Sequence, residues 1–290
     1  MPRIIDILRN KKPTISYEFF TPKTDAGRAN LLQNARVLIQ EARPDFISLT
    51  YGAGGSTRGS TTELAVELQE TLGIPVMHHL ICIGHSKSEL ESMICRLARE
   101  GIDNILALRG DPPKETETWN AHPEGFTHAW ELAALIRKCA PECSIAGAGF
   151  PEGHPESTDL EEDAALLRHK AGAGVELLIT QLFFETQLYT DYRARAARHG
   201  ITLPIIPGIL PIVNYQNLLN FTAGCKASVP KAVHDIFKPI EGDEEAVRRE
   251  GIAWAVRQAR ELTLAGAPGL HFYTLNKAEP VLSIMKAMRA

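Results

Sequence analysis

Short apolar runs alternate with longer amphipathic stretches along the whole chain. The runs are Thr14–Phe20, Phe46–Tyr51, Pro75–Cys82, Asn104–Leu108, Ser144–Phe150, Glu176–Phe184, Pro204–Leu210 and Leu270–Asn276. Each is short, nearly continuous in hydrophobicity and bounded by turn residues, which predicts strands buried on both faces. The stretches between them carry a helical period. Helices are predicted up to Ala42, over 60–72, up to Glu100, over Ala129–Lys138, over Asp159–Ala171, up to His199 and after Asn276.

Strict strand–helix alternation is the signature of a parallel sheet covered by helices. Eight such units match the α/β class in its (β/α)8 form, the TIM barrel, as one domain over 1–290. The stretch Asn214–Pro268, between the seventh and eighth strands, is longer than the other connections and predicts two or three extra helices. An open doubly wound sheet is the alternative. It usually binds dinucleotides through G-x-G-x-x-G. Gly52-x-Gly54 and Gly147-x-Gly149 both lack the third glycine, because Thr57 and Glu152 stand there.

Composition narrows the function classes. The 290 residues are 44% hydrophobic and 23% charged, with a formal net charge of −4. That balance, with no run of like charges, argues against a nucleic-acid partner. No apolar run approaches the ~20 residues that span a bilayer, and no signal-peptide pattern is visible, so no membrane association and a cytoplasmic location are expected. The cysteines Cys82, Cys95, Cys139, Cys143 and Cys225 are odd in number and form no C-x-x-C pair. Dispersed reduced thiols are expected, and no metal site.

Ligands of parallel α/β sheets bind at the C-terminal strand ends. Polar residues gather there: Glu18, Thr50 with Tyr51, His78 with His79, Arg109 with Asp111, Gln181, and Asn276 with Lys277. Glu18, between Tyr17 and Phe19, either faces outward to a helix cation or lines the mouth. In the second case desolvation is expected to raise its pKa, as suits a proton donor. His78 and His79 must face opposite ways, because strand side chains alternate. Arg109 and Asp111 read as an ion pair or as ligand contacts, with Gly110 allowing close backbone approach. Gln181 inside an apolar run needs hydrogen-bond partners. Tyr215 either caps the core or stacks on a planar ligand. Asp163 and Lys170, seven apart, share one helix face. These residues alone point to a barrel enzyme with an acid–base site and a planar ligand.

Eight segments in order carry a resemblance: Glu18-Phe-Phe, Ser48-Leu-Thr-Tyr-Gly-Ala53, His79-Leu-Ile-Cys82, Ala107-Leu-Arg-Gly-Asp111, Pro151-Glu-x-His-Pro-Glu156, Ile179-Thr-Gln181, Ile206-Pro-Gly-Ile-Leu-Pro211 and His271-Phe-Tyr-Thr-Leu-Asn276. The chain resembles the bacterial methylenetetrahydrofolate reductase family over nearly its whole length. The resemblance implies a barrel holding FAD without a Rossmann turn, and reduction of 5,10-methylenetetrahydrofolate to 5-methyltetrahydrofolate. NADH or NADPH would be the electron source in a ping-pong scheme. By position it implies Glu18 as general acid and Asp111 beside the flavin. Thr50, His79, Arg109, Gly110, Asp111, His128, Ala129, Phe150, His154, Asp163 and Lys170 would hold FAD. Glu18, Gln181, Tyr215 and Lys277 would bind the folate. Phe150 and His128 stand where the family often has tyrosine, Tyr215 where it has phenylalanine, Lys277 where it has arginine, and Leu166 where some relatives have asparagine. A homo-oligomer is implied as well.

Two rival readings remain at this point. One is a relative that binds folate or takes electrons from an iron–sulfur partner subunit; the chain has no cluster motif of its own. The other is a barrel lyase with a Schiff-base lysine, against which stands the lack of lysine in any predicted strand.

Overall fold

The computed structural model describes residues 1–52, 58–110, 121–225 and 227–289, with the side chains of 58–60 not described. Eight parallel strands close into one barrel in chain order. They are β1 (Thr14–Phe19), β2 (Phe46–Leu49), β3 (Val76–Ile81), β4 (Asn104–Leu108), β5 (Ser144–Gly149), β6 (Leu177–Leu182), β7 (Ile205–Ile209) and β8 (Gly269–Tyr273). The helices are α1 (Ile4–Asn10), α2 (Asp25–Ala42), α3 (Arg58–Leu72), α4 (Lys87–Arg99), α5 (Ala129–Cys139), α6 (Leu160–Gly172), α7 (Thr186–Arg198), α8 (Tyr215–Cys225), α9 (Lys231–Phe237), α10 (Glu244–Leu264) and α11 (Ala278–Arg289). The (β/α)8 expectation is met, and the long connection after β7 holds α8, α9, a short 3-10 turn and α10.

Strand alternation divides the apolar residues into two layers. Tyr17, Phe19, Ile47, Leu49, Leu80, Ile105, Ile145, Leu178, Leu270 and Phe272 face outward into the main core under the helices. Phe46, Met77, Leu106, Ala146, Leu177, Ile179 and Ile206 face inward and fill the lower barrel. Local signals fit these elements. Ser86 and Glu89 form a reciprocal capping box at the start of α4, and Asp159 accepts from the first N–H groups of α6, which satisfies donors that a helix leaves unpaired.

The sequence pattern did not foretell α1. Its residues Ile4, Ile5 and Leu8 pack into the lower barrel layer. Asn104 Oδ1 accepts from the N–H of Ile4 at 2.7 Å, and Ser144 Oγ accepts from that of Ile5 at 3.3 Å. Arg3, just before the helix, pairs with Glu176 at 2.8 Å. The strand starts thus cap a helix that corks the N-terminal end of the barrel.

A second apolar cluster lies over the opposite rim. Leu182, Phe184, Leu210, Ile212, Tyr215, Leu218, Val233, Phe237, Val247, Trp254 and Tyr273 pack together, joining β6–β8 to the inserted helices. The insertion is therefore an extension of the barrel's upper wall.

Candidate functional site

Above the lower apolar layer the barrel interior turns polar. Glu18 is 6% exposed near the end of β1. Its Oε2 accepts from Ser48 Oγ at 3.2 Å, lies 3.1 Å from Nε2 of His271 and 3.5 Å from Nε2 of His79. Three strands besides β1 therefore aim a polar side chain at one carboxylate. The inward reading of Glu18 holds. His79 faces in with it, whereas His78 faces out against Tyr51, with ring centroids 6.4 Å apart.

A hydrogen-bond chain continues below. His271 Nδ1 is 2.8 Å from Ser16 Oγ, and Ser16 Oγ also reaches Leu270 O at 3.3 Å. A hydroxyl has one proton to donate. If Ser16 donates to Leu270 O, His271 must carry hydrogen on Nδ1, and one more proton lies between Nε2 and Glu18. If Ser16 donates to Nδ1, Nε2–H donates to an ionised Glu18. Rotation of one hydroxyl thus goes with a change in how many protons the Glu18–His271 pair holds.

The direction of the Glu18 pKa corrects the sequence expectation. Burial does push it up, but His79 and hydrogen bonds from His271 and Ser48 outweigh burial, and the net shift is downward. Burial pushes His79 itself down to about 4, with Glu18 pulling the other way. At neutral pH His79 is therefore uncharged, and its charge draws on Glu18 only in acid. Nε2 of His79 is buried with no hydrogen-bond partner. It is an orphaned polar atom facing the polar interior, of the kind a ligand satisfies.

A second group of the expected residues meets where β5 ends. Lys170 Nζ donates to Ala148 O at 2.6 Å and lies 5.7 Å from the Phe150 ring centroid. Burial pushes Lys170 down to about 8, partly offset by Asp163. Burial also raises Asp163, against the pull of Lys170. His154 stands edge-on to Phe150 at 4.9 Å, and burial, then the Arg109 charge, lower its pKa. Arg109 itself grips Glu156 through both terminal nitrogens, at 2.6 and 2.7 Å. The sequence also pairs Arg109 with Asp111, which lies outside the described residues.

Gly110 has φ +93, and a Cβ there would sit 2.3 Å from Ile83 Cγ2. Backbone conformation and the neighbouring side chain by themselves demand glycine. His128 precedes Ala129, the first residue of α5. Its ring stacks on Trp130 at 4.0 Å, and Trp130 stacks on His169 at 5.1 Å. Thr50 Oγ1 accepts from Thr21 N at 3.1 Å.

The remaining expected residues are spread along the β6–β8 side. Gln181 is half-buried, and its Oε1 accepts from the N–H of the next residue, Leu182, at 2.9 Å, beside an irregularity in the β6–β7 register. Its partner is thus its own strand. Tyr215 belongs to the rim cluster: its ring stacks near-parallel on Phe237, and its hydroxyl lies 2.5 Å from His234 Nδ1. Lys277 is exposed just past β8. Sequence reasoning overlooked Ser16, Ser48, His271 and Tyr273 as site residues. A histidine inside the apolar run of β8 was the available signal, as Gln181 was in β6. Tyr273 donates to Thr180 O at 2.8 Å, and a Cβ on Gly208 would come within 2.7 Å of its hydroxyl.

A buried carboxylate beside two histidines can move a proton, and the half-buried Lys170, whose charge is felt by Asp163, offers a cation to an anionic ligand. The methylenetetrahydrofolate reductase family model matches residues 3–289. The chain belongs to that family. Among its relatives, 5,10-methylenetetrahydrofolate reductase of Buchnera aphidicola is 34% identical over 275 residues, covering 95% of this chain and 91% of the relative. The probable methylenetetrahydrofolate reductase (NADH) of Oryza sativa is also 34% identical, over 98% of this chain but 49% of its own length. The chain spans about half the length of such plant relatives. A solved Clostridium thermocellum protein, described as binding two copies of 5-methyl-5,6,7,8-tetrahydrofolic acid, superposes with a TM-score of 0.69 at 15% identity, covering 98% of this chain and 97% of that one. At that identity the likeness is one of fold.

Proposed function

We propose that the chain reduces 5,10-methylenetetrahydrofolate to 5-methyltetrahydrofolate with electrons from NADH or NADPH, through FAD bound at the barrel mouth. The observation that carries this reading is the placement of Glu18, held by Ser48 and His271 at the polar floor of the mouth, in a chain of this family.

The residues fit the cofactor. The orphaned His79 Nε2 and the desolvated Lys170 beside Asp163 suit an extended anion with a polar ring edge, and Arg109 would reach it by exchanging Glu156 for the ligand. Thr50, Gly110, His128, Ala129, Phe150 and His154 complete the rim, with Asp111 assigned to the ring edge. When bound there, FAD would supply reversible hydride chemistry between the nicotinamide and the folate, as a ping-pong scheme requires.

Glu18 is the general acid. A proton delivered to N10 of the folate breaks the bond between N10 and the bridging carbon, leaving a cationic N5 methylene. Hydride addition to that carbon gives the N5 methyl group. Once Glu18 has given its proton to N10, Nε2–H of His271 stabilises the carboxylate left behind, with the ring oriented by Ser16 at Nδ1. A folate ring over the mouth excludes water from Glu18 and raises its pKa from the lowered ligand-free position, which makes it a better acid source near neutrality. Gln181 and Tyr215 bind the folate rings, and Lys277 binds its acidic tail.

The test is an absorbance spectrum of the purified protein, repeated anaerobically. Flavin bands that bleach with NADH or NADPH and return on adding methylenetetrahydrofolate are expected. Bands that bleach but never return with folate would overturn the substrate assignment. A protein that takes up no FAD on reconstitution would overturn the cofactor.

A further inference from the structure

The β1–β8 ladder ends at Glu18↔Tyr273, because β8 then turns away. Leu275 and Asn276 both adopt left-handed backbone angles, φ 50 and 58, the only non-glycine residues to do so among those described. Past that turn no backbone group of β8 can pair with Phe20. The Asn276 side chain does so instead. Its Oδ1 accepts from Phe20 N at 2.8 Å and its Nδ2 donates to Phe20 O at 2.8 Å. A primary amide carries the same donor and acceptor as a peptide group, so the side chain adds one rung to a ladder the backbone has left.

The same turn also grips Glu18. Thr274 N and Thr274 Oγ1 both donate to Glu18 O, at 3.1 and 2.6 Å, and Asn276 N donates to Thr274 Oγ1 at 3.1 Å. On the opposite side Thr50 N donates to Phe19 O at 3.0 Å. The chain from Glu18 to Phe20 is therefore fixed from both flanks. Asparagine is the residue type that tolerates a left-handed backbone and still offers donor and acceptor at this reach. Aspartate lacks the donor, and glycine lacks the amide. Strained backbone of this kind persists where the surroundings over-determine it.

We infer that Asn276 is a positioning residue for Glu18: its amide-to-backbone clamp on Phe20 sets the direction of the carboxylate and ties it to Lys277, the exposed cation next in the chain. A substrate with a reacting ring at one end and an acidic tail at the other meets both groups at a separation the clamp fixes. This deepens the folate assignment and rests on it.

The variants are Asn276→Gly, which relieves the left-handed backbone while removing the amide, and Asn276→Asp, which keeps the shape and loses the donor. In both, folate-dependent flavin reoxidation at saturating folate is expected to slow by about 10- to 100-fold. Its pH dependence should shift, while flavin reduction by the nicotinamide stays within about twofold of wild type. Reoxidation at the wild-type rate with an unmoved pH profile would overturn the inference. So would an equal slowing of both half-reactions, which indicates general damage. A second readout stands apart from turnover: the Glu18 carboxyl resonance of carbon-13-labelled, ligand-free protein, assigned with Glu18→Gln. Its titration midpoint should move in Asn276→Gly, and an unmoved midpoint refutes the clamp even if the wild type shows no folate chemistry. Failure of folate reoxidation in wild type with a moved midpoint refutes the folate reading alone.

Discussion

Nε2 of His271 lies 3.1 Å from the Glu18 carboxylate, and its other ring nitrogen lies 2.8 Å from Ser16 Oγ. The carboxylate at the mouth is thus the top of a three-residue chain reaching down between β1 and β8. Replacing Glu18 with glutamine keeps a group of the same shape over His271 but removes the transferable proton. Glu18→Gln is expected to retain flavin and its reduction by nicotinamide, and to lose folate-dependent reoxidation by about 10²- to 10⁴-fold, the usual range for a general acid. Rapid-mixing absorbance of each half-reaction checks this.

Lys170 gives a pH signature. Its ammonium is pushed down to about 8, so it is charged below that pH and neutral above it. An anionic cofactor group held by Lys170 should bind more weakly as pH rises through about 8. Flavin dissociation measured between pH 6.5 and 9.5 should show that loss in wild type. Lys170→Met should bind weakly throughout, with a flatter profile.

His78 gives a stability signature instead. It is fully buried, and burial pushes it down to about 3. The unfolded chain takes up this proton near pH 6.5, while the folded chain refuses it until near pH 3. The unfolded state therefore binds more protons in that window, and stability must fall as pH falls through it. At pH 4 the loss from this one group is on the order of 3 kcal/mol. Urea unfolding at several pH values should show a shallower acid decline in His78→Leu than in wild type.

Gly110→Ala is expected to destabilise the fold by about 1–3 kcal/mol, through the positive φ and the Ile83 contact together. Adding Ile83→Ala should recover the steric part and leave the backbone part. A double-mutant cycle of unfolding midpoints separates the two.

The barrel was legible because parallel strands buried on both faces leave continuous apolar runs, and eight of them recur. Where a polar residue broke such a run at Glu18 and His79, the structure brings both side chains to one polar interior, whereas Gln181 in β6 turns back on its own strand. Period-2 alternation separated His78 from His79 correctly. Register was not legible. Nothing in β8 alone says that His271 stands beside Ser16 and so beneath Glu18. The lowering of the Glu18 pKa was hidden for the same reason, since it comes from three partners on three other strands. Asn276 was visible as a polar rim residue, but its use as a substitute peptide group depends on a backbone turn that sequence does not spell out. The helix α1 escaped notice because seven residues are too short for a periodic signal, and its caps come from distant strands.

That corking helix sets an order of events during folding. Arg3, Ile4 and Ile5 find their partners 173, 100 and 139 positions further along the chain. The helix leaves the ribosome before any of its seat exists, and at seven residues it is too short to hold its shape alone. It can settle only after β4, β5 and β6 have been made and brought side by side. Closure between β1 and β8 must wait longer still. A segment that precedes its whole seat in the chain is therefore among the later ones to dock, and until it does the apolar lower end of the barrel stays open.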